Sequence, residues 1–219
     1  MKKYFLLTLF IACVCLTVNG QSSSKENHYT NAMVATIKMF DTVSTAASLT
    51  QSANAFERIA NVEKSKWEPY YYAAYCYALM AVKTKDADKI DVIADYSESL
   101  LQKAEAIAAN NSEITCLFAM IHSARIMADP VARFQSYSKE VHALLAKAKS
   151  QNQNNPRIYF LEAKFLLKTP EMLGGGSKIA KEPANIAVSK FEIFVPESAI
   201  APQWGSIQAK ELANKLAGN

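Results

Sequence analysis

The stretch Gly174-Gly175-Gly176-Ser177-Lys178 holds residue types that can cradle a phosphate, because successive backbone N–H groups at a helix start point at an anion. Its order does not suit a nucleotide loop. The lysine follows the serine instead of preceding it, the Gly-x4-Gly-Lys spacing is absent, and no strand leads in. The glycines are therefore expected to serve a long connection that needs positive φ. The three histidines, His28, His122 and His142, form no metal-ligand spacing and no His-Glu-x-x-His string, and the cysteines form no Cys-x-x-Cys. No metal, no cofactor and no catalytic constellation is expected. His122 falls on an inward-looking helix position, where a hydrogen-bonded core histidine is the commoner outcome. The strongest candidate for recognition is the aromatic cluster Trp67, Tyr70, Tyr71, Tyr72, Tyr75 and Tyr77. At 100° per residue these rings spread over more than one side of a helix, so at least one aromatic side should face a neighbour or a groove. Packing between helices is the plainer alternative.

The elements that must position these residues follow from a repeat. Leu100-Leu101-Gln102-Lys103-Ala104, with Asn110-Asn111 and Ile114 behind it, recurs as Leu144-Leu145-Ala146-Lys147-Ala148 with Asn154-Asn155 and Ile158, at a constant offset of 44 residues. Self-similarity at such a period marks helical hairpins that bury their apolar faces by stacking on one another. Tyr70, Ala73, Ala74, Tyr77 and Ala81 recur at helical steps, as do Ile114, Leu117, Phe118 and Ile121. Pro69, Pro156 and Pro202 suit first helical positions, with Ser112 as an N-cap in the remaining unit. A shorter echo places the other helix of each unit: Ala55-Phe56-Glu57, Lys103-Ala104-Glu105, Lys147-Ala148-Lys149 and Lys190-Phe191-Glu192. The expectation is an all-α, right-handed α-solenoid of about four hairpins, capped by an N-terminal helix over about Lys25 to Val43.

The start of the chain has a basic end (Lys2, Lys3), an apolar run from Tyr4 to Val18 and a small-residue ending at Gly20, which reads as a signal peptide over residues 1–20. Lipidation at Cys13 is the alternative. The expected mature chain, residues 21–219, forms one repeat domain in the periplasm or the medium, without a membrane span. The net charge of +4 includes Lys2 and Lys3, and no basic stripe remains for nucleic acid. Cys76 and Cys116 fall in the first helices of neighbouring hairpins, whose spacing should hold their Cα atoms more than about 7 Å apart, so free buried thiols are expected.

Tyr70, Ala73, Ala74 and Tyr77, with small residues again at Ala119 and Ala163, resemble the tetratricopeptide repeat pattern over roughly Gln51 to Leu216. The units are longer than that family's usual length of about 34 residues, and His122 and Leu166 stand where its pattern has tyrosine. Asn155-Pro156-Arg157, Thr169-Pro170 and the three glycines also resemble repeat proteins secreted by Bacteroidetes. The tetratricopeptide resemblance implies a concave groove lined by Tyr71, Tyr75, Met120, Ser123, Arg157, Phe160 and Lys164, apolar and aromatic with a basic end. Such a groove would suit a protein or peptide partner bearing an acidic group, on a non-enzymatic scaffold. Two other outcomes are a small-ligand binder or enzyme built on Gly174–Lys178 with His122 or Arg157, and self-association through Trp204, Leu212 and Leu216.

Overall fold

The computed structural model describes residues 24–40 and 45–218, and the described part is all-α. The expected signal peptide, Cys13 and residues 41–44 lie outside the described residues. Residues 24–40 form α1, followed by α2 (Ala46–Val62), α3 (Glu68–Lys83), α4 (Ala87–Ile107), α5 (Ser112–Ala128), α6 (Pro130–Gln151), α7 (Pro156–Lys168), α8 (Ser177–Glu192) and α9 (Ser206–Ala217). Helix starts follow local chemistry. Pro69, Pro130 and Pro156 occupy first-turn positions, where a missing N–H costs nothing. Asn111 and Asn155 accept from the backbone N–H two residues on, at 2.9 Å each, so the cap of α5 is Asn111 and Ser112 is its first helical residue.

The repeat is visible in the packing. α3 lies on α4, α5 on α6 and α7 on α8, while α3, α5 and α7 stand side by side as one layer. The echoed positions Phe56, Ala104, Ala148 and Phe191 are all buried, on α2, α4, α6 and α8. α1 covers the first end of the stack with Tyr29, Met33, Ile37 and Phe40, and the Tyr29 hydroxyl donates to Glu68 at 3.1 Å. Its start agrees with the capping helix expected from about Lys25, whose expected end at Val43 lies outside the described residues. Cys76 and Cys116 are free and buried, as the spacing between neighbouring helices requires, and burial pushes both thiols up.

The last helix departs from expectation. It opens at Ser206, not at Pro202, because residues 193–205 are used as a strap. The chain leaves α8, crosses the α3–α5–α7 layer and turns into α9 at Gly205, whose φ of 107° suits glycine alone. A Cβ there would also come within 2.9 Å of the Phe191 ring. The strap is held along α3 by three tyrosines. Tyr72 donates to the Ala201 carbonyl at 3.0 Å, the Trp204 indole N–H donates to the Tyr71 hydroxyl at 2.9 Å, and the Trp204 ring stacks on Tyr75 at 4.5 Å between centroids. Trp204 is thus engaged within the fold, and Leu216 is buried with Ala163, Ala180 and Ala184, so neither presents the free apolar face that end-to-end association would need.

Candidate ligand pocket

The seven groove positions separate into two places. Tyr71, Tyr75, Arg157 and Phe160 lie beneath the strap, at 0%, 6%, 0% and 4% exposure. Met120, Ser123 and Lys164 line an open pocket further along the same layer. The difference arises at the strap, which seals one part of the layer and stops before the other.

Beneath the strap the capped starts of α5 and α7 meet. Glu113 and Arg157, which occupy matching positions after Asn111 and Asn155, form an ion pair at 2.9 Å. The Asn155 amide donates to Ser112 at 3.0 Å, and a second guanidinium N–H of Arg157 donates to the Pro202 carbonyl. Rings enclose the guanidinium, with its carbon 4.8 Å from the Phe194 centroid and 5.3 Å from Trp204. Burial pushes the Glu113 carboxyl up to about 7, against the lowering pull of Arg157. Arg157 ties this junction to the strap while the other groups join α5 to α7, and Arg157, expected to give a groove its basic end, is fully buried.

The pocket forms where α6 and α7 part. α6 buries only Val141, Leu145 and Ala148, all in its second half, and its first half packs on α5 while leaving α7 uncovered. The resulting cavity of about 650 Å³ is walled by Met120, Ser123 and Ile126 of α5, by Val131 and Phe134 of α6, and by Leu161, Lys164 and Phe165 of α7. Val82 of α3 contributes to its wall. Its rim carries apolar side chains exposed to water, with Val131 96% and Leu173 55% exposed and Met172 beside them at 89%. Exposed apolar residues concentrated round a concavity mark a binding surface more often than scattered ones do.

The glycine connection shapes one edge of this pocket. Gly174 and Gly176 have φ of 85° and 96°, the positive values expected of them. The Gly176 N–H donates to the Leu166 carbonyl at 2.9 Å and folds the short 3-10 turn Glu171–Leu173 against the end of α7, which brings Leu173 to the pocket. Gly175 has no room for a side chain, since a Cβ would lie 2.2 Å from the Thr169 carbonyl oxygen and 2.6 Å from that of Leu166. Gly175→Ala is therefore expected to destabilise the protein by about 1–3 kcal/mol, read from thermal unfolding, with a larger loss for Gly175→Val.

His122 does not line the pocket. It is half-buried between α4 and α6, with Nδ1 2.7 Å from a Glu140 oxygen, Nε2 4.0 Å from Glu98, and its ring edge-on to Tyr137. These are ion-pair contacts to the flanking helices, and Nδ1 makes no hydrogen bond among the described residues, unlike the hydrogen-bonded core histidine expected from the sequence. No group of three or more potential metal ligands occurs among the described residues. The aromatic cluster is mainly core, with Tyr72 stacked on Phe56 at 5.0 Å between centroids, and the neighbour its free side faces is the strap. Phe134, Met127 and Val131, which complete the pocket, escape sequence inspection because they lie outside the segments that repeat recognisably, Leu100 to Ile114 and Leu144 to Ile158. The one local signal is Val131 and Phe134, two apolar residues three apart in the first turns of a helix that opens at Pro130.

Fold and pocket together define an all-α array of helical hairpins, closed on one side by its own chain and opening one large apolar cavity beside the closure. The chain is 37% identical to the HusA haemophore from Porphyromonas gingivalis, with a TM-score of 0.79 over 87% of this chain and 93% of that chain. It belongs to the HusA haemophore family. No protein-family model and no curated protein matches it.

Proposed function

We propose that this protein is an exported, non-enzymatic carrier that holds haem, or a closely related porphyrin, in the pocket between α5, α6 and α7. The observation that carries this assignment is the open apolar cavity of about 650 Å³ with exposed apolar residues on its rim, in a chain related to a haemophore. A flat macrocycle offers two apolar faces and one acidic edge. The wall offers branched, thioether and aromatic side chains for the faces, and lysines on α7 for the edge. Binding is driven by removing apolar surface from water on both sides at once. Export accords with the leader expected over residues 1–20, and a carrier needs no catalytic group.

A protein partner seated on the concave face is the other candidate, on a scaffold of tetratricopeptide type. It is less favoured, because four of the seven residues that would receive the partner are covered by the strap. That partner would have to displace Trp204 from Tyr75 and Tyr71 before reaching them.

The test is a titration of haem into the protein, followed by the absorbance of the bound porphyrin. Saturation at one haem per chain is expected, with affinity weakened by about tenfold or more in Met127→Asp/Val131→Asp, which sets two anions at the apolar rim. Val131 is almost fully exposed, so the fold should tolerate the change. Unsaturable binding, or equal affinity in the rim variant, would assign the pocket elsewhere.

A further inference from the structure

Resting on the assignment of the pocket as a porphyrin site, we propose that Lys164 and Lys168 form a carboxylate clamp that fixes which edge of the ligand enters against α7 and selects acidic ligands over neutral ones of the same shape. The two lysines are one helical turn apart on the same face of α7, and both line the cavity. Among the described residues neither has a carboxylate within ion-pair distance, although the neighbouring Lys149 of α6 is paired with Glu162 at 2.8 Å. Lys168 reaches only the Met127 sulfur, at 3.5 Å, and Lys164 sits 5.2 Å above the Phe160 ring. Burial and the charge of Lys168 both hold the Lys164 amine below its ordinary range.

Two like charges at the wall of an apolar cavity are costly unless an anion joins them. A ligand carboxylate would supply the missing counter-charge, relieve the repulsion and accept hydrogen bonds from both ammonium groups. The methionine and aromatic walls leave the rest of the ligand in apolar surroundings, where such a contact is strengthened by exclusion of water. One carboxylate bridging the two amines, or two carboxylates on one edge meeting one amine each, satisfies the site equally.

The clamp is tested with a porphyrin dicarboxylate and its dimethyl ester on wild type, Lys168→Met and Lys164→Met/Lys168→Met, where methionine keeps most of the aliphatic stem. Wild type is expected to bind the acid about 30-fold more tightly than the ester. The double variant should bind acid and ester alike, with the ester's affinity unchanged, and the exposed Lys168→Met should fall between them. Undiminished discrimination in the double variant, or none in wild type, overturns the clamp. A second probe pair separates this result from failure of the porphyrin assignment: the anionic dye anilinonaphthalene sulfonate and its uncharged analogue N-phenylnaphthylamine. If neither porphyrin binds wild type, the porphyrin assignment fails. A preference for the sulfonate that disappears in the double variant would still uphold the clamp, and no preference would sink it.

Discussion

Replacing Arg157 by alanine is expected to destabilise the protein by about 3–5 kcal/mol, the largest loss from any single change at the strap. Arg157 is fully buried and joins three parts of the chain: Glu113 at the start of α5, the Pro202 carbonyl in the strap, and rings from α8 and the strap. Alanine would leave the Glu113 carboxylate buried without its counter-charge, deprive the Pro202 carbonyl of its donor and open a void between Phe191, Phe194 and Trp204. Lysine would not substitute, because a point charge cannot serve carboxylate and carbonyl while lying flat among three rings. Urea unfolding measures the loss. Glu113→Gln/Arg157→Ala should be less destabilised than the sum of its single changes, since removing both partners leaves no lone buried charge. A loss under about 1 kcal/mol for Arg157→Ala would mean that the strap is held elsewhere.

Ser123→Trp is expected to abolish haem binding, weakening it about 100-fold or more, with little change in melting temperature. Ser123 faces the cavity from α5, and its hydroxyl donates to the Ala119 carbonyl at 2.8 Å, a bond within its own helix. Indole placed there would occupy the volume a porphyrin needs and would also cover exposed apolar wall. It enters open space, so the strain of overpacking a filled core does not arise. Ser123→Ala, which removes only the intrahelical bond, should bind haem like wild type. Porphyrin absorbance with a parallel thermal melt decides the matter. Binding by Ser123→Trp at wild-type strength would place the ligand outside this pocket.

The contrast between these variants follows how the molecule is encoded. The 44-residue offset of Asn110-Asn111 and Asn154-Asn155 is a local statement, and it carries through to the capped starts of α5 and α7 and to the facing positions of Glu113 and Arg157. Periodicity likewise marked the buried echo residues Phe56, Ala104, Ala148 and Phe191, because stacking hairpins repeat the same contact at each step. Met120, Ser123 and Lys164 were placed on the inner layer by the tetratricopeptide resemblance, and they line the pocket. What periodicity does not carry is a contact made once. Tyr72 and Ala201 lie 129 residues apart, and Tyr71 and Trp204 lie 133 apart. Neither strap residue belongs to a repeat unit, so nothing in the spacing around Tyr71 and Tyr75 distinguished an open groove from a covered core.

Sequence alone therefore determined the repeating helices and the register in which they stack, though not the cap of α5 or the start of α9, since the repeat depends on neighbours within one or two turns or on a repeated face. The tertiary structure decided which part of the inner layer meets water. Residues 193–205 cross it at one end, where Arg157 and Tyr71 can hold them, and α6 diverges from α7 at the other, where the pocket opens. Exposure belongs to the whole surface and depends on every segment that passes over a residue, which is why Tyr75 and Ser123, alike in their place on the layer, end in a sealed core and in a binding cavity.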